Sequence, residues 1–184
     1  NHTMLSQDVK IGSAVRLDGN IYFCIDFQHV KPGKGNTIMR IKLKDVLSGN
    51  VLEKRFDIGV KLEDVRVEHR PYQYLYKEGE DYIFMHTETY EQIPIAGDNI
   101  TGVKFMKEND VVDVVVDAST ETILFAEMPV KTVLKVTYTE PGEKGNTATN
   151  ALKEATVETG AMVRVPLFIN TDDMIRVDTR TGIA

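Results

Sequence analysis

The residues best placed to do chemistry lie in HVKPGKGNTIMRIKLK, from His29 to Lys44. Its centre, Pro32-Gly33-Lys34-Gly35, sets a lysine between two glycines directly after a proline. Proline cannot donate to a ladder, and glycine tolerates positive φ at no steric cost, so the chain turns here. From Gln28 to Lys44 there are five basic residues (Lys31, Lys34, Arg40, Lys42, Lys44) and no acidic one. Such a stretch repels cations and seeks a polyanion. A plain solvated turn is the competing reading of these few residues. A nucleotide-binding P-loop fails on spacing, because it needs Gly-Lys-Ser/Thr opening a helix, whereas Lys34 is followed by glycine and then by a strand pattern.

Other candidate groups are thin. Cys24 lies in an apolar strand pattern, where a lone cysteine is usually a small core residue. The four histidines are scattered: His2 near the start, His29 beside the turn, His69 and His86 in later strand patterns. None has metal-ligand spacing to Cys24 or to a carboxylate pair. Asp172-Asp173 and Glu78-Gly79-Glu80-Asp81 read as solvated acidic turns. Tyr72, Tyr74 and Tyr76 alternate and so share a strand face, where they could stack bases or pack a core. No metal, no cofactor and no catalytic activity is expected.

The elements that position Lys34 read as β. IYFCIDFQHV, Ile21 to Val30, is dense in β-branched and aromatic residues. After the turn, Thr37, Met39, Ile41 and Leu43 alternate with Ile38, Arg40, Lys42 and Lys44, giving one apolar and one largely basic face. The pattern predicts a β-hairpin with Lys34 at its tip. Further short strand patterns at Ala14 to Leu17 and Val51 to Phe56 complete a small barrel-like module. Five strand patterns follow between Val67 and Met128, with a short helical candidate around Ile100 to Asn109. A last block opens at Pro129, and both later blocks suit OB-type barrels. PGEKGNT, Pro141 to Thr147, echoes PGKGNT, but Glu140 and Glu143 cancel its positive charge, so it reads as shared turn chemistry.

Charge follows the same blocks. Residues 1–66 hold eleven Lys/Arg and eight Asp/Glu, residues 67–128 four and thirteen, and residues 129–184 seven and seven, which gives +3, −9 and 0 within a total of −6. One basic end suits a phosphate-rich partner, while the acidic middle is held off or turned toward basic protein. No apolar run approaches a membrane helix of ~20 residues, and no signal peptide is evident, so no membrane contact is expected. A single cysteine fits a reducing compartment, and a cytoplasmic location is expected. Asn1-His2-Thr3 reads as an expression-tag remnant ahead of Met4 and is set aside.

The tip VKPGKG followed by a basic strand resembles the N-terminal domain of the bacterial translation elongation factor P family. KEATVETGAMVRVPLFI, Lys153 to Ile169, with IRVDTRTG, Ile175 to Gly182, is similar to that family's C-terminal signature. The resemblance covers essentially the whole chain from Met4. The chain departs from the family at Asp172, where glycine is usual, and in stopping at Ile183-Ala184, where a tyrosine and a basic end usually follow. A shortened end is expected, with the stability of the last strand in question.

The resemblance implies a mainly β fold of three small barrels: a KOW/SH3-like domain at 4–66, then OB-fold domains at 67–128 and 129–184, in an elongated L that mimics transfer RNA. It implies a monomeric, non-enzymatic factor that binds the 70S ribosome next to the peptidyl transfer RNA and relieves polyproline stalling. By the same resemblance Lys34 reaches the acceptor end and, in many members, is extended by a separate modifying enzyme. Lys31, Pro32, Gly33, Gly35, Arg40, Lys42 and Lys44 would then contact ribosomal RNA or transfer RNA. The rival reading is a generic OB-fold single-strand binder, which needs basic and aromatic residues together on a barrel face.

Overall fold

The computed structural model describes residues 2–31, 33, 35–142 and 151–184. Pro32, Lys34 and most of the PGEKGNT echo lie outside the described residues. Among the described residues there is no α-helix; the chain is built from short strands and three single 3-10 turns. None of its helical segments is long and apolar enough to cross a membrane.

The first sheet contains β1 (His2–Leu5), β2 (Ala14–Leu17), β3 (Asn20–Val30), β4 (Ile38–Asp45), β5 (Val51–Asp57) and β6 (Lys61–Asp64), in the order β1-β6-β2-β3-β4-β5. The expected hairpin is present as β3 and β4, paired antiparallel from Tyr22↔Asp45 to Val30↔Ile38. Alternation in β4 holds: Met39, Ile41 and Leu43 are buried, while Lys42 and Lys44 are exposed. Two strands are absent from the sequence reading. His2 and Thr3, set aside as a tag remnant, pair with Asp64 and Glu63 in β1 and β6. Strand pairing satisfies backbone groups whatever the side chains are. In β6 only Leu62 is buried, too little to display a period of two.

This sheet curls around Val9, Val15, Tyr22, Cys24, Met39, Ile41, Leu43 and Leu62. Cys24 sits among them as a small core residue, 1% exposed, and burial pushes its thiol up from the ordinary value. A thiol held protonated in this way is a poor nucleophile.

The second sheet contains β7 (Val67–Glu78), β8 (Asp81–His86), β9 (Gln92–Ala96), β10 (Ile100–Thr101), β11 (Val111–Asp117) and β12 (Thr122–Glu127), in the order β10-β12-β11-β7-β8-β9. The expected helix over 100–109 is not there. Ile100 and Thr101 instead pair parallel to Ala126 and Glu127, and a 3-10 turn covers only Val103–Phe105. Gly102 at φ 81 and Asn109 at φ 76 are left-handed, and each stops a right-handed helix. Gly102 is also boxed in: a Cβ there would lie 3.1 Å from that of Met128 and 3.2 Å from that of Thr179. Tyr72 and Tyr74 are buried, as a packing role requires, but a bulge between Tyr74 and Tyr76 turns Tyr76 outward.

The third sheet contains β13 (Lys131–Thr139), β14 (Leu152–Val157), β15 (Met162–Pro166) and β16 (Met174–Asp178), in the order β15-β14-β13-β16. Asp172, where the family usually has glycine, takes φ 77, a region glycine enters freely. The aspartate itself takes that conformation, and its carboxylate lies 3.6 Å from the Lys135 ammonium. The last residues are tied in: the Ala184 amide donates to the Arg164 carbonyl at 2.9 Å, and the Arg164 amide donates to Gly182.

By packing, the chain forms two compact units, residues 1–69 with 115–125, and residues 70–114 with 126–184. In the first, Val115 and Leu124 share a core with Ala14, Ile21 and Val65, and Phe125 meets Phe23 edge-on at 6.2 Å. In the second, Phe105, 1% exposed, fills the core of the C-terminal barrel beside Leu134, Val157 and Val177. The Thr159 hydroxyl donates to the Lys104 carbonyl at 2.7 Å and holds that turn in place.

An ion pair spans 101 positions within the first unit: Arg16 Nη2 lies 3.0 Å from Asp117 Oδ2. Burial alone would raise the Asp117 carboxyl, but bonds from the Ser119 hydroxyl and amide, then Thr120 and Arg16, outweigh it and hold it below the ordinary value of 3.8. A depressed carboxyl contributes stability that is present above that value and is lost as pH falls through the lower folded one. Asp117→Ala is expected to cost about 1–2 kcal/mol at neutral pH, because it leaves the Ser119 donors unpaired; Arg16 keeps Glu63, 3.4 Å from its Nε, and its one-third-exposed guanidinium limits the loss. Urea midpoints at pH 7 and pH 3 check this: the gap between variant and parent should narrow at the lower pH.

Candidate functional site

Val30↔Ile38 is the last pair of the hairpin ladder. Lys31, Gly33, Gly35 and Asn36 are all exposed. A Cβ built on Gly33 would meet nothing within 4 Å. Gly35 takes φ 129, a conformation that glycine adopts without strain. The tip lysine itself, Lys34, and Pro32 before it lie outside the described residues.

Strand register sorts the basic face of the hairpin into rows. Gln28, Arg40 and Arg55 form one row; Asp26, Lys42 and Glu53 form the next; Phe23, Lys44 and Val51 form the third. Arg40 is already engaged, with Nε 3.1 Å from Glu53 Oε1 and Nη1 donating to Gln28 Oε1 at 3.5 Å. Lys42 and Lys44 are exposed, and Lys44 stands between two apolar neighbours. The hairpin therefore brings Lys31, Lys42, Lys44 and the two described glycines onto one projecting element, with Arg40 half-buried in an ion pair. Arg55, on the edge strand β5, completes the basic row beside Arg40 and went unremarked in the sequence. Its signal was available: Glu53, Arg55 and Asp57 alternate along VLEKRFD and so share the face of Arg40.

This surface is suited to hold phosphates. Exposed ammonium and guanidinium groups attract a polyanion and release its counterions. No group of three His, Cys, Asp or Glu able to hold a metal occurs among the described residues. The His86 ring accepts the Glu88 and Thr89 amides at Nδ1, 3.0 and 3.1 Å away, so it shapes a turn. Asp173 likewise accepts the Asn170 amide at 2.8 Å.

Three family models match along the chain: the elongation factor P KOW-like domain over residues 5–62, the elongation factor P OB domain over 67–121, and the elongation factor P C-terminal domain over 132–183. Elongation factor P of Phocaeicola vulgatus is 70% identical over 177 residues, spanning 96% of this chain and 94% of the relative. The protein of that name from Chloroflexus aurantiacus is 45% identical over 178 residues, with 96% and 94% covered. A solved structure of eukaryotic translation initiation factor 5A from Methanococcus jannaschii superposes with a TM-score of 0.57 at 21% identity, over 68% of this chain and 93% of that one, which speaks to the fold alone.

Proposed function

The chain belongs to the elongation factor P family of translation elongation factors, and from that membership we propose that it binds the ribosome next to the peptidyl transfer RNA and speeds peptide-bond formation at consecutive prolines. The observation that carries the reading is that Lys31, Gly33 and Gly35, which flank Lys34 in sequence, are exposed, backed by exposed Lys42 and Lys44 on the same hairpin. In this reading the functional domains run over 4–66, 67–128 and 129–184.

Proline is a poor acceptor because its ring restricts the geometry of attack, so the barrier is largely one of orientation. Lys34 holds the donor end of the transfer RNA in an attack-ready position, which lowers that barrier through proximity. The glycines let backbone approach RNA closely, and Lys42, Lys44 and Arg55 neutralise phosphates. Arg40 contributes less, because Glu53 already balances it. The protein supplies positioning and ribosomal RNA does the chemistry, so the chain is not itself an enzyme. A separate enzyme that extends Lys34 would lengthen its reach. The single-strand-binder reading loses its stacking platform, because Tyr72 and Tyr74 are buried.

The test is 70S ribosome binding across a salt series. Binding should weaken linearly on a log–log plot, and Lys42→Gln with Lys44→Gln should flatten the slope by about 1.5–2, the share of two phosphate contacts. Equal flattening on neutralising Glu88 and Glu91 of the middle block would refute a one-ended electrostatic footprint.

A further inference from the structure

The outward face of the second sheet carries a groove that phosphate binding does not use. Register places Tyr76, Ile83 and Pro94 in one row across β7, β8 and β9. At one end of that row Glu78 stands opposite Asp81; at the other lie Gln73, Met85 and Gln92. All of these but Gln73 and Met85, with Ile93, line an open groove of about 480 Å³. Tyr76 is 46% exposed within it, although the alternation of Tyr72 and Tyr74 would have carried it into the core. The bulge before Tyr76 therefore re-aims a large aromatic ring at solvent, which a strand built only for packing does not require.

We propose that this groove is a docking site for an extended segment of a partner protein that carries lysine or arginine beside proline or aliphatic residues. Charge selects that chemistry. Glu78 and Asp81 are exposed and, among the described residues, enter no ion pair. Lys77, next to Glu78 in the chain, is turned to the other face, with its ammonium 5.3 Å from the centre of the Tyr82 ring. The segment 70–114 that carries the groove holds nine acidic and four basic residues. Phosphate backbones are repelled by such a surface, and a cationic peptide is drawn to it.

The mode of binding is also restricted. β9 is the outer strand of its sheet, but Pro94 at its centre has no N–H to offer, so an incoming strand cannot complete a ladder along it. The partner segment crosses the face instead. Its apolar side chains lie over Tyr76, Ile83 and Pro94, and its cation reaches Glu78 and Asp81.

The test uses the full chain, free of ribosomes, so its outcome is separate from the ribosomal reading above. A capped Lys-Pro-Leu-Lys-Pro-Leu-Lys heptapeptide is titrated into ¹⁵N-labelled protein. Shifts should concentrate at Tyr76, Ile83, Gln92 and Ile93, and Tyr76→Ser and Asp81→Lys should each weaken binding about tenfold. Lys42→Gln should leave binding unchanged. Asp81→Lys is a surface change at the exposed start of β8, so it remains informative even if Tyr76→Ser alters folding. The proposal is overturned if the groove residues do not shift, if the heptapeptide with glutamate for lysine binds equally well, or if oligouridine binds there. It is also overturned if sedimentation shows a dimer that Asp81→Lys dissolves, which would assign the groove to a second copy.

Discussion

Lys34→Ala should cut translation of a polyproline reporter on the order of tenfold in cells lacking the native factor, toward the level with no factor at all. The same variant should melt within about 1–2 °C of the parent, because a surface change flanked by exposed residues falls within ~0.5 kcal/mol. Lys31, Gly33 and Gly35 around that position are exposed, and Gly33 has open space where a side chain would stand. The remaining phosphate contacts preserve most of the docking, so ribosome affinity should fall far less than reporter output. Lys34→Arg should rescue poorly: a planar guanidinium keeps the charge but changes the reach and cannot accept a lysine-specific extension. Full activity from the alanine variant would refute the tip's role. A large drop in melting temperature would make the lysine structural.

Phe105→Ala is expected to destabilise the second compact unit by about 3–5 kcal/mol, the range for emptying a fully buried aromatic site. Phe105 leaves the middle barrel on a single 3-10 turn and ends among Leu134, Val136, Val163 and Val177 of the C-terminal barrel. The turn is held by the Thr159–Lys104 bond and by Lys107, 3.6 Å from Glu158, and these restrict collapse into the vacated space. Guanidinium unfolding monitored by tyrosine fluorescence should show the second unit melting earlier. Phe105→Leu should recover more than half of the loss, because it refills most of the volume. An alanine variant as stable as the parent would mean that the aromatic side chain is dispensable to that core.

The hairpin was legible in the sequence because two local signals agree there: turn residues at its tip and a period of two in Met39, Ile41 and Leu43. Other features depend on partners that a linear pattern does not show. β1 is read only against β6, a strand with one buried side chain. Arg40 reads as a free cation until register brings Glu53 to it. The three alternating tyrosines look equivalent, yet one bulge separates Tyr76 from the other two. The apolar residues between Ile100 and Asn109 resemble a helix face because Phe105 is buried, but what buries it is another barrel, and Gly102 and Asn109 had already closed both ends. OB-type barrels were recoverable from strand spacing; the regrouping of residues 115–125 with the first module was not, since contacts across more than fifty positions leave no local trace.

That regrouping has a consequence for how the chain folds as it is made. Val115, Leu124 and Phe125 complete a core begun by Ala14, Ile21 and Phe23, about a hundred residues earlier in synthesis. At the ~5–20 residues per second of translation, the nascent N-terminal module waits several seconds or more before those side chains emerge. Until then it must stand on its first core, around Met39 and Ile41, with the apolar surface of Ala14, Ile21 and Val65 still open to water. The element that carries the basic hairpin is thus shaped early by local pairing and sealed late by distant sequence, an ordering that makes its second core the vulnerable one during synthesis.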